Sequence, residues 1–141
     1  MLRHPYILSF QDGVETDKTL YIVTEPVTPL RTYLTQNQLA DFQLAWGIYQ
    51  IAKAVWFLNN SGQLIHNAVS IWNVFVTKSG DWKLAGLDFT SPANGDWNCP
   101  KNLLPALERY WPPVSQKSVD KWTVDSFGLG CLIWEVFNCP D

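Results

Sequence analysis

The residues able to do chemistry gather around one stretch, Leu64-Ile65-His66-Asn67-Ala68-Val69-Ser70-Ile71-Trp72-Asn73. His66 offers an imidazole that can carry a proton or ligate a metal. Asn73 offers an amide oxygen, and Asp88 a carboxylate further along. A metal site built from these is thin. No second histidine lies nearby in the sequence, and a lone neutral amide oxygen offsets little of the cost of dehydrating Mg²⁺. The structural role for His66, packed and hydrogen-bonded to backbone, is therefore the expected one. Cys99, Cys131 and Cys139 have no C-x-x-C spacing. They suggest neither a disulfide framework nor a zinc site, and read as unreactive thiols in a reducing cytosol.

Regular elements must hold this stretch in place. From Asp41 to Asn59 the apolar set Leu44, Ile48, Ile51, Ala52, Val55, Leu58 keeps a helical period, with Asp41 as N-cap. Asn60-Ser61-Gly62 ends that helix and leads into the His66 segment. Behind it, Val74-Phe75-Val76-Thr77 and Trp82-Lys83-Leu84-Ala85 flank the turn Lys78-Ser79-Gly80-Asp81, which predicts a hairpin. Residues 6–10 and 20–24 predict an earlier hairpin across the polar turn 11–18, and Leu30, Tyr33 and Leu34 a short helix after Pro29. Residues 87–102 read as loop. A last helix over about 119–138 is apolar on nearly every face from Phe127 onward, as suits the centre of a larger structure.

The bulk numbers exclude several classes. Of 141 residues, 47% are hydrophobic and 16% charged, which suits a globular core rather than disorder. A net charge of −3 and ten basic residues without a run give no case for nucleic acid. The longest apolar stretch, Phe127 to Phe137, is short of a membrane span and contains Glu135, so no membrane insertion is expected. Eight tryptophans invite a ligand-binding guess, but core and groove packing is the commoner use of such residues.

The spacing around His66 resembles the protein-kinase catalytic loop H-R-D-L-x-x-x-N. His66 and Asn73 keep their places, Asn67 stands for the arginine and Ala68 for the catalytic base. After the hairpin, Gly86-Leu87-Asp88 falls where Asp-Phe-Gly belongs, with Gly86 in place of the magnesium-holding aspartate. A match slid by two residues puts Asp88-Phe89-Thr90 there instead, and pattern alone leaves that register open. Met1-Leu2-Arg3-His4-Pro5-Tyr6-Ile7-Leu8 resembles the H-P-x-I-L approach to the fourth kinase strand. Leu20 to Val27 resembles the fifth strand and hinge, with Thr24 as gatekeeper. Tyr110-Trp111-Pro112-Pro113-Val114 stands where Ala-Pro-Glu closes the activation segment, Val114 replacing the glutamate. Asp125-Ser126-Phe127-Gly128-Leu129-Gly130 resembles the D-x-W-S-x-G start of the central C-lobe helix.

These matches imply an α+β fold: an incomplete protein-kinase-like domain, with residues 1–27 an N-lobe remnant and hinge and 28–141 the first, mainly helical part of the C-lobe. The chain then reads as a fragment or natural short form of a longer protein. His66, Leu87, Asp125 and Gly130 take structural motif roles. Val27, Asn73 and Asp88 are weak candidates for nucleotide contact, ATP and Mg²⁺ entering only if Asp88 serves as the metal ligand. Narrower runs, among them Thr24-Glu25-Pro26-Val27-Thr28-Pro29-Leu30 and Leu129 to Phe137, are similar to the Scy-like pseudokinases, also called N-terminal kinase-like proteins. That resemblance implies an inactive, cytoplasmic scaffold with protein partners. For a longer parent it implies vesicle-coat components and Golgi–endoplasmic reticulum traffic.

Overall fold

A computed structural model describes residues 3–93, 109–112 and 122–138. In chain order its elements are β1 (Phe10–Glu15), β2 (Leu20–Thr24), β3 (Val27–Pro29), α1 (Leu30–Gln36), α2 (Asp41–Asn60), β4 (Leu64–Ile65), β5 (Val74–Thr77), β6 (Trp82–Leu84), β7 (Ser91–Pro92) and α3 (Thr123–Phe137). Short 3-10 turns cover Ile71–Asn73 and Leu87–Phe89. This is the α+β mixture expected of a partial kinase fold.

Helix α2 organises the core. Leu44, Ile51, Ala54, Val55 and Leu58 line its buried face and meet Leu30 of α1, Val74 and Val76 of β5, Leu84 of β6 and Leu132 and Val136 of α3. Gly47 lies on the same face because Trp82 packs there: a Cβ at Gly47 would sit 2.2 Å from the indole ring. Gln50 secures the contact, its Nε2–H donating to Asp81 (2.9 Å) and its Oε1 accepting from the Trp82 backbone N–H (2.9 Å). Helix α2 begins differently from the sequence expectation. Ala40 is the N-cap and Asp41 the first helical residue, because Gln43 Oε1 reaches back to accept the Ala40 N–H at 2.8 Å.

The described residues form three small antiparallel sheets, β1–β2, β3–β5–β6 and β4–β7, of which β1–β2 is exposed along nearly its whole length. The first hairpin is shifted from its expected place. Gln11 to Glu15 are strand rather than turn, and the reversal is the tight Thr16–Thr19 loop, closed by backbone and Thr16 hydroxyl bonds. Residues 6–8 pair instead with the end of β6, through Leu84 N–H to Tyr6 O and Leu8 N–H to Leu84 O. Helix α3 is also two-sided: Leu132 and Val136 are buried, whereas Phe127, Ile133, Trp134 and Phe137 are exposed. Residues 119–121 of the expected helix, 94–102 of the expected loop, and Val114, Cys99 and Cys139 lie outside the described residues. The tryptophans depart from the expected packing. Trp82 is buried, but Trp46, Trp56, Trp72 and Trp134 are exposed. Among the described residues no helix is long and apolar enough to cross a membrane.

Candidate functional site

The His66–Asn73 loop runs between β4 and β5 and is held from below by α3. Asp125, 1% exposed, supplies the anchor. Its Oδ2 accepts the His66 N–H at 2.7 Å and the Asn59 Nδ2–H at 2.9 Å, and its Oδ1 accepts the Asn67 N–H at 3.0 Å. Charged acceptors make the stronger class of hydrogen bond, so one carboxylate ties α2, the loop and α3 together.

His66 is fully buried and uses both ring nitrogens on backbone. Its Nδ1 accepts the Ala68 N–H at 3.1 Å, which leaves Nε2–H to donate to Ala85 O at 2.8 Å. Burial holds this imidazole below its ordinary pKa of 6.5, against the opposing pull of Asp125 and of the Ala85 carbonyl. Neutral and doubly engaged, the ring has no nitrogen left for a metal or a substrate.

Asn67 stands at a crossing of segments. Its backbone is left-handed, φ +72°, a conformation that asparagine tolerates better than most residues. Its Nδ2 donates to Phe89 O at 2.8 Å and to Ser91 Oγ at 2.9 Å. Its own carbonyl accepts the Trp111 Nε1–H at 2.8 Å. Neutral hydrogen bonds thereby join the loop to β7, to the preceding 3-10 turn and to residues 109–112.

On the opposite side of the loop the described contacts are made without acids. Ala68 is fully buried beside Tyr110. Asn73 Nδ2 donates to Ala68 O at 2.8 Å, and Asn73 O accepts the Ala85 N–H at 2.7 Å. That last bond sets the register after the hairpin and brings Gly86 against the Asn73 side chain. Gly86 has φ +82°, and a Cβ there would lie 2.7 Å from Asn73 Cγ and Oδ1. Asp88 is exposed on the Leu87–Phe89 turn, while Leu87 packs partly buried against the main core. Among the described residues no three His, Cys, Asp or Glu side chains form a group that could hold a metal. Val27 opens β3 opposite Thr77. The two glycines that open α3 differ in their surroundings: Gly130, assigned a structural motif role, makes no close approach. It is exposed with open space where a Cβ would be, and Gly128 is the tight one, its Cβ position 2.8 Å from Val69 O.

Two ionic contacts were not read from the sequence. Lys83 Nζ meets Glu25 Oε1 at 2.6 Å, linking β6 to the segment before β3. Glu135 of α3 receives Arg109 at 2.6 Å and the Tyr110 hydroxyl. Burial, then the Glu135 bond, pushes the Tyr110 phenol up, so it stays a donor. The partners in each pair are too far apart in the sequence for local periodicity to join them. The hydroxyl of Ser70 is buried with no hydrogen-bond partner among the described residues.

The protein kinase domain family matches residues 1–139. The chain belongs to that family. Its similarity runs to the Scy-like group within it. It is 34% identical over 96% of its length to a protein of Dictyostelium discoideum described as a probable inactive serine/threonine-protein kinase scy1. It is 29% identical over 97% of its length to SCY1-like protein 2 of Homo sapiens. Over 62% of the chain it is 39% identical to the mouse protein-associating with the carboxyl-terminal domain of ezrin, covering 12% of that protein. The chain spans 18% of the length of each of the first two relatives.

Proposed function

We propose that this kinase-family segment is catalytically inactive and acts as a protein-interaction scaffold. One observation carries the reading: across the loop from its Asp125 anchor, Ala68 presents a methyl and Gly86 a hydrogen, with the Asn73 amide filling the space between. A methyl cannot take the proton of a substrate hydroxyl. Mg²⁺ asks for near-octahedral oxygens with one or two carboxylates among them; a single amide oxygen does not meet that demand, so these residues do not fit a metal–nucleotide complex. The hinge adds little. Pro26 lacks an N–H, and one or two neutral hydrogen bonds from Val27, each worth about 0.5–1.5 kcal/mol, fall well below the roughly 8 kcal/mol of micromolar affinity. Asn67 cannot form the arginine–phosphate pair that orders an activation segment, and the neutral bonds it does form supply a substitute that needs no phosphorylation.

The test is incubation of the purified chain with labelled ATP, Mg²⁺ or Mn²⁺ and generic protein acceptors. Incorporation at background is expected. Incorporation abolished by Asp88→Ala would overturn the reading in favour of an ATP-using kinase whose metal ligand is Asp88. The backbone bond that faces Gly86 to Asn73 counts against that alternative, since it leaves Asp88 two residues further on. For the longer parent, the family resemblance supports vesicle-coat partners and a Golgi-associated cytoplasmic location. Immunoprecipitation of the full-length parent, probed for coat subunits, tests this, and a precipitate free of them would set it aside.

A further inference from the structure

A surface helix ordinarily turns a polar face to water; α2 turns Phe42, Trp46, Tyr49 and Trp56 outward beside Asp41, Gln43 and Lys53. Its outward side repeats with a strict seven-residue period. Phe42, Tyr49 and Trp56 are the large positions, and Ala45 and Ala52 the small positions three residues after the first two. The three aromatics are 75%, 48% and 60% exposed, and Trp46, beside them, is 52% exposed. At about 150–250 Å² per aromatic side chain, these fractions leave on the order of 500 Å² of aromatic surface in one strip. That is at the upper end of the roughly 300–600 Å² typical of a monomer's largest apolar patch, a size that often marks function.

We infer that this seam is a docking ridge for a single amphipathic helix of a partner protein, one with bulky aliphatic residues in heptad positions and acidic flanks. The period argues for a helix, because large and small residues alternating every seven make the holes that helical knobs enter. The relief agrees: a hollow of about 290 Å³ lies among Tyr49, Ala52, Lys53 and Trp56, and another of about 330 Å³ borders Phe42 and Trp46. Area argues for one helix rather than a globular surface. The strip falls short of the roughly 800 Å² per partner that a standard protein interface buries. Charge argues for acidic flanks. That holds at the Tyr49–Trp56 end, where Lys53, the one cation in the strip, rests its ammonium over the Trp56 ring at 5.9 Å and can meet an incoming carboxylate. At the Phe42 end Asp41 and Asp81 favour a neutral or basic side chain.

This names a surface for the scaffold reading above, yet the two fail separately, since the phosphotransfer assay does not depend on the ridge. The probe is a fluorescein-labelled peptide of three heptads with leucine at the a and d positions and glutamate at e and g, whose like-charged flanks keep it from pairing with itself. Fluorescence anisotropy should give a Kd of about 10–100 μM for the intact chain. Tyr49→Lys, a change on the exposed side, should weaken binding at least about tenfold while the melting temperature stays put. Lys53→Glu should also weaken it, and a peptide with lysine flanks should restore it. No saturable binding at millimolar chain, or equal binding by Tyr49→Lys, would overturn the proposal. So would self-association of the chain that Tyr49→Lys abolishes, because the occupant would then be a second copy.

Discussion

The two sides of the His66–Asn73 loop differ in what holds them. Toward α3, one carboxylate, Asp125, satisfies donors from His66, Asn67 and Asn59, all in the interior. Toward Gly86, contact is made by a methyl, an amide and a glycine. The first side fixes where the loop runs; the second is where a kinase would place its acids. On the inactive reading proposed above, a fold can keep the frame of an active site without its reacting groups, because frame and chemistry would reside in different side chains.

The largest effect expected from this contrast is that of Asp125→Ala. It strands three buried donors, each costing about 1–3 kcal/mol when unpaired, a sum comparable with a whole domain's roughly 5–15 kcal/mol. The cooperative thermal melt should disappear. If the variant melts like the parent, the anchoring role of Asp125 is wrong. Gly86→Asp comes next. It places a Cβ against Asn73 at left-handed φ and should cost about 1–3 kcal/mol without creating phosphotransfer, read by urea melts alongside the labelled-ATP assay. Activity gained by this change alone would mean that the base at Ala68 is dispensable.

A smaller effect should appear on acidification. The folded pKa of His66 is lowered, so around and below 6.5 the unfolded chain binds a proton that the folded chain refuses. By linkage, stability is full well above that value and is lost progressively as pH falls through it toward the lowered folded pKa. His4, also lowered by burial and then by Lys53, adds in the same direction. Urea melts across this window should slope, and His66→Asn should flatten most of the slope; an unchanged slope would mean His66 is not its source. The smallest effect belongs to the hinge pair. Lys83 and Glu25 keep 18% and 29% of their side-chain surface, so Lys83→Met should move stability by no more than about 1 kcal/mol.

Local pattern made the frame legible in the sequence. The period of α2, the turn of the β5–β6 hairpin and the spacing of His66, Asn73 and Asp125 each rest on near neighbours or fixed offsets. What escaped depends on residues far apart in the chain. The first hairpin was misplaced because Tyr6 and Leu8 bond to Leu84 rather than to β2, and no composition of residues 11–15 signals that competition. Glu135 pairs with Arg109 and Tyr110 across a separation no periodicity spans. Gly128 and Gly130 are alike as letters and are told apart only by the carbonyl of Val69 beside one of them. The exposed tryptophans escaped for a further reason: a residue type that usually packs inside says nothing of the case in which its helix carries large apolar residues on both sides.

Gly47 and Trp82 also constrain the order in which this sequence can drift. With a Cβ position 2.2 Å from the indole, any side chain at residue 47 must wait until residue 82 has become smaller. The reverse order is open: Trp82 can shrink first, leaving a void that a larger residue 47 later fills. In a saturation library the two positions should thus behave asymmetrically, with substitutions at 47 surviving only on backgrounds already changed at 82. Mid-helix glycine is a poor helix former by about 1 kcal/mol relative to alanine, so a lineage that has lost the tryptophan gains by losing the glycine and has little reason to return.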